Sequence, residues 1–254
     1  MSGAGLLYAA LAAYALAAAA AVMARKRAGR PWQLSAGASI LGLSLQLLFT
    51  AGRALSVGFL PFASRFESMA LFALSVQATG FIVYLATRQH SAKLATDAAS
   101  AVLLLAALVP FGFHPGGGLN PVLRSPWFAL HILVAFGGYG CFAAGLACSI
   151  AHLFDRSLDQ SPQLPRRLAL AGLVLLGWGI LTGAIWADSS WGSYWSWDPK
   201  ESWALLTWTL AMAGLHLRAF GRRRAAVLGF GLVFAAMMFT LVGINLLKWG
   251  LHKY

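Results

Sequence analysis

Eight apolar runs, each close to 20 residues long, follow one another through this chain at about 4–24, 34–51, 67–87, 94–113, 127–153, 168–187, 200–219 and 225–247. A hydrocarbon core about 30 Å thick is crossed by roughly 20 apolar residues in a helix. Lipid offers the backbone no hydrogen-bond partner, so a spanning segment closes its own bonds as a helix or joins a closed barrel. Runs of this length are too long for barrel strands and select the helix. With 59% of its 254 residues hydrophobic and only 10% charged, the chain keeps too little polar sequence for a sizeable soluble domain. The expected fold is all-α and integral to the membrane, with about eight transmembrane helices in one bundle and residues 1–254 forming a single polytopic domain.

The first run has no basic residue before it and is followed by Arg25, Lys26, Arg27 and Arg30, which reads as a retained helix rather than a signal peptide. A net charge of +12 does not point to nucleic acid here, because the cations sit in short connections and not on one soluble face. They report topology. With the amino terminus outside, thirteen Lys and Arg fall on the inner side, including Arg88, Lys93 and the cluster at 218–224. Six fall outside: Arg53, Arg65, Arg124, Lys200, Lys248 and Lys253. The bias places both termini on the outer, periplasmic side of a bacterial inner (plasma) membrane. Cys141 and Cys148 are seven apart on the fifth run and read as small packing residues, in neither C-x-x-C nor C-x-x-C-H.

Two helix starts are explicit. Ser64-Arg65-Phe66-Glu67 fits a capping box, and Asp198-Pro199-Lys200-Glu201 supplies an N-cap, a proline at the first helical position and a Glu at the third. The second closes a stretch, 186–203, treated as an outer loop, within the 186–208 segment that holds six of the ten tryptophans. A belt of interfacial tryptophans scatters over several helix ends, whereas these are concentrated. Topology puts His114, His131 and His252 on the same outer side and His90 and His152 near the inner one. Two neutral imidazoles beside a set of indole faces are suited to holding haem, with nitrogen on the iron and aromatic rings over the porphyrin. A wetted interfacial histidine is the simpler reading of either one alone.

The string Trp191-Gly192-Ser193-Tyr194-Trp195-Ser196-Trp197-Asp198-Pro199-Lys200-Glu201-Ser202-Trp203 resembles the "WWD" motif of the CcsA/ResC-type cytochrome c assembly proteins. Arg65-Phe66-Glu67-Ser68, Leu130-His131, Leu215-His216-Leu217-Arg218 and Gly250-Leu251-His252-Lys253-Tyr254 follow that family's order. The resemblance implies a haem b-binding subunit of a holocytochrome c synthase (lyase) complex, with His131 and His252 as axial ligands of the iron at the outer face. It implies that Trp191, Trp195, Trp197, Asp198 and Trp203 form the haem site, and that His216 belongs to an inner haem site shared with the partner. It further implies a separate ResB/CcsB-type membrane partner, apocytochrome c as substrate and a thioredoxin-like reductant of its thiols. Asp198 itself reads as a helix cap rather than an acid, and Lys200 as a candidate for a haem propionate.

On this reading catalysis is placement: haem oriented beside a C-x-x-C-H peptide turns an intermolecular addition into a nearly unimolecular one. Two competitors remain, a CcmC-like haem chaperone, which needs about six helices, and a b-type electron-transfer cytochrome, whose ligands lie within a bundle. A transporter would show broken helices and intramembrane charges.

Overall fold

Apolar runs punctuated by short polar connections give helices that begin and end close to where the hydropathy changes. In the computed structural model, which describes residues 3–25, 30–62, 64–111, 121–154, 161 and 163–247, these are α1 (Gly3–Ala24), α2 (Arg30–Val57), α3 (Arg65–Thr87), α4 (His90–Phe111), α5 (Pro126–Phe154), α6 (Leu164–Trp191), α7 (Pro199–His216) and α8 (Arg223–Met238). A π-helical turn, Phe239–Gly243, continues α8 into the short α9 (Ile244–Leu247). No strand occurs among the described residues.

Seven of these helices are long and apolar enough to cross a membrane. The exception is α7, 18 residues long, where eight spans were expected. Its first turn carries Lys200, Glu201 and Ser202, and Thr207, Thr209 and His216 dilute the remainder. A second difference concerns the tryptophan stretch. Because α6 runs on to Trp191 and α7 starts at Pro199, only Trp195 and Trp197 lie in a true loop, while Trp186, Trp191 and Trp203 sit on helices.

The chain gathers into two compact units, one of α1–α4 and one of α5–α9. In the first, Lys93, counted among the charges of the connections, lies within a helix and is buried. It stands in the first turn of α4, 1% exposed, beside Asp97 at 0%. Lys93 Nζ donates to Asp97 Oδ2 and Ser39 Oγ at 2.6 Å and to Ser35 Oγ at 2.7 Å. Ser39 Oγ and Gln77 Nε2 donate to Asp97 Oδ1 at 2.7 and 2.8 Å, and Ser35 Oγ donates to the Ala17 carbonyl at 2.9 Å. One charge pair thus ties all four helices. The Ser64–Glu67 capping box forms as expected, and Glu67 also accepts from Arg53 Nε at 2.8 Å.

In the second unit, α5 and α6 run antiparallel and unusually close. A Cβ on Gly138 would come within 2.9 Å of the Leu176 amide nitrogen, one on Gly179 within 3.0 Å of Ala135 Cβ, and one on Gly172 within 2.6 Å of the Phe142 ring. Small residues at such spacing let backbones approach, which is how helices gain packing energy in lipid. Cys141 and Cys148 are buried and unbridged, in keeping with a packing role.

Candidate functional site

His131 sits in the second turn of α5, against the last turns of α6. Its Nδ1 lies 2.7 Å from the Gly179 carbonyl oxygen. A carbonyl only accepts, so Nδ1 carries the proton, and in the neutral ring the lone pair is on Nε2. The ring fits there because position 183 is glycine: a Cβ would stand 2.7 Å from Nδ1 and 2.9 Å from Cε1.

Aromatic rings wall the imidazole. Trp186 stacks at 6.5 Å and 13°, and Phe128 at 6.2 Å and 24°. Trp186 is itself fixed, 2% exposed, donating from Nε1 to the Val122 carbonyl at 3.1 Å and packing on Phe128 at 4.5 Å. Trp191 meets it edge-on at 4.9 Å.

The tryptophan loop leaves α6 through Gly192, in the left-handed conformation at φ 75°, whose amide donates to the Asp188 carbonyl at 2.8 Å. Asp198 caps α7, accepting from the Lys200 amide at 2.9 Å. Glu201 answers from the first turn: its Oε2 accepts from the Ser196 amide at 2.9 Å and the Asp198 amide at 3.1 Å. The loop is therefore tied down at both ends by residues that do not belong to its aromatic set. Trp195 and Trp197 pair edge-to-face at 5.7 Å. Trp197 is 70% exposed and adopts φ 58°, a left-handed conformation that costs a residue with a Cβ about 1–2 kcal/mol. Trp203 packs at 4.2 Å on Phe239, the first residue of the π-helical turn, and such turns recur at functional sites.

Thus His131, Trp186 and Trp191 form one cluster, Trp195 and Trp197 a second, and Trp203 with Phe239 a third, all at the end of the second unit where α6 ends, α7 begins and α8 finishes. Near this cluster, burial pushes the Lys200 ammonium down to about 8, opposed by the Asp198 charge; Lys200 lies in the first turn of α7, outside the seven spans.

His216 occupies the opposite end of this unit, exposed in the last turn of α7, with Nδ1 on the Met212 carbonyl at 3.0 Å. It too keeps its lone pair on Nε2 when neutral. His252 and His114 lie outside the described residues; the described chain reaches Leu247 at the tryptophan end. Asp198, counted among the ring-holding residues, spends its carboxylate on the helix cap. Sequence reasoning missed the Gly179 carbonyl, the Gly183 notch and Phe128. The signal for the two glycines was present as Gly179-Ile-Leu-Thr-Gly183, a small-x-x-x-small spacing.

Residues 62–252 match the family described as "Cytochrome C assembly protein". The chain is 32% identical to the "Cytochrome c biogenesis protein CcsA" of Synechococcus sp. (strain CC9605), over 92% of this chain and 89% of that one. It is 30% identical to the protein of the same name from Prochlorococcus marinus (strain MIT 9313), over 88% and 87%. Among solved structures it is similar to "Cytochrome c Heme Lyase CcmF", with a TM-score of 0.70 at 19% identity, over 94% of this chain and 46% of that one. That likeness concerns the fold, and this chain spans less than half the length of the solved one.

Proposed function

This chain belongs to the cytochrome c assembly protein family, and from that premise we propose that it is the haem-handling membrane subunit of a cytochrome c synthase. It holds haem b at the outer face and presents it to the C-x-x-C-H cysteines of apocytochrome c. The observation that carries this reading is the seating of His131, whose Nδ1 bond to Gly179 means that Nε2 would be the nitrogen offered to a metal, among rings suited to a flat apolar ligand. The residues fit the group: an oriented imidazole, a notch that admits it, and indoles in three clusters around one end of the unit.

When bound, haem would supply an iron that accepts nitrogen ligands and vinyl groups reactive towards thiols. The protein's part is to bind and orient. His131 would hold the iron from one side, as one of the pair that the resemblance names, and His252 would be the other ligand. Trp191, Trp195, Trp197 and Trp203 cover the ring faces, and Asp198 with Glu201 holds the loop in register. Exposed Trp197 would meet an incoming peptide at the ring edge, and Lys200 would meet an acidic edge of the ring. His216 belongs to an inner haem site completed by a ResB/CcsB-type partner, and a thioredoxin-like protein keeps the substrate thiols reduced.

The test is the haem content and absorption spectrum of the protein purified with its membrane partner. His131→Ala and His252→Ala are each expected to lose the two-nitrogen low-spin spectrum, with external imidazole restoring it. Unchanged spectra in both variants would remove the ligand assignment.

A further inference from the structure

The grip on His131 involves more than one hydrogen bond, and its parts lie on a single turn of α6. The Gly179 carbonyl accepts from His131 Nδ1 at 2.7 Å and also from Thr182 Oγ1 at 3.2 Å. The same hydroxyl reaches the Trp178 carbonyl at 2.8 Å, so its single proton is shared, and Gly179 holds the weaker share. Thr182 is buried, 5% exposed. One residue further, Gly183 leaves the only space in which the ring keeps this position, since any Cβ would overlap Nδ1 and Cε1.

A hydrogen bond from Nδ1–H to a good acceptor pushes electron density towards Nε2 and makes the imidazole a stronger donor to a metal. A second donor on the same carbonyl competes for its lone pairs and weakens that push. Ring orientation matters as well, because the Nε2 lone pair must aim at the iron along the ring plane.

We propose that the α6 turn Gly179–Gly183 tunes the donor strength and aim of His131, with Thr182 and Gly183 as positioning residues that set the reduction potential of the iron. This rests on the reading of His131 as an axial ligand. The turn makes no contact with the iron of its own. Its hydroxyl moderates the Gly179 acceptor, and its missing Cβ fixes the ring. A stronger donor favours the ferric form, so removing the hydroxyl lowers the potential and keeping it preserves the potential.

The experiment uses the full chain with its membrane partner and reads the midpoint potential by spectroelectrochemical titration and the axial ligation by low-temperature electron paramagnetic resonance. Thr182→Val is expected to stabilise the ferric form about threefold relative to the ferrous, roughly 30 mV at 59 mV per tenfold, with the low-spin signal kept. Thr182→Ser, which retains the hydroxyl, returns the wild-type potential. Gly183→Ala is expected to lose the low-spin signal, with added imidazole recovering it. His131→Ala in the same series separates the two levels: if it keeps the wild-type signal, the ligand reading fails. If His131→Ala loses the signal while Thr182→Val and Gly183→Ala match the wild type in potential and spectrum, the tuning turn alone is overturned. A rise in potential for Thr182→Val overturns it equally.

Discussion

At the tip of the loop, Trp197 combines an exposed indole with a left-handed backbone, and its main packing contact is the edge of Trp195. Trp197→Gly relieves about 1–2 kcal/mol of strain, offset in part by the greater freedom of glycine in the unfolded chain. The unliganded variant is expected to unfold thermally no earlier than the wild type while retaining less haem. A fall in both would show that the indole packs rather than presents. Lys200 gives a pH test. Its ammonium is held down at about 8 by burial, so it is charged below that pH and loses its charge as the pH rises through it. Haem retention is therefore expected to weaken from pH 7 to 9, and Lys200→Arg, charged throughout, to flatten the profile. An unaltered profile in Lys200→Arg would separate this lysine from the ligand. The motif residues were readable here because Asp-Pro-x-Glu encodes a cap and a cluster of indoles is rarely idle. The carbonyl that orients His131 was not readable, because any residue of α6 carries one.

For the helices, position along the chain was more legible than contact. Hydropathy located every long helix to within several residues, since helix ends follow the bilayer boundary, yet it carried α6 only to 187 although the helix continues to Trp191. Aromatic residues at an interface are compatible with helix and loop alike, and Gly192 is what ends the turn. The α5–α6 register is set by glycines rather than by large apolar residues. Gly138→Leu is expected to force the two helices apart, because even a Cβ would meet the Leu176 backbone at 2.9 Å, and to remove His131 from Gly179 without touching either. The check is loss of the low-spin haem spectrum in a protein that still extracts as a folded species. The loop clamp is the gentler lesion. Glu201→Ala frees the Ser196 and Asp198 amides, costs about 1 kcal/mol as for other lost caps, and is expected to raise the haem dissociation rate with the spectrum unchanged. A wild-type dissociation rate would show that the loop needs no such tether.

At the scale of the whole molecule, α5–α9 hold His131 and the tryptophan set on which the proposed function rests, and α1–α4 close around a buried charge pair. Lys93 looked like a topology marker because it falls near the start of a hydrophobic run. Only the packing of Ser35, Ser39 and Gln77 around it shows an internal tie. Removing one member of a buried pair leaves a bare charge and costs about 3–5 kcal/mol, whereas replacing both with apolar residues is often neutral. Lys93→Met is accordingly expected to destabilise the detergent-solubilised protein far more than Lys93→Met with Asp97→Leu; equal losses would mean that the pair is a surface-like contact. The proposed function rests above all on one bond, from the Nε2 of His131 to iron. Pulsed electron paramagnetic resonance on the ferric protein, with its histidines labelled with nitrogen-15 at Nε2, reads that bond directly. Two strongly coupled labelled nitrogens in the wild type, falling to one in His131→Ala, are the predicted result, and an unchanged pair of couplings in His131→Ala would contradict it.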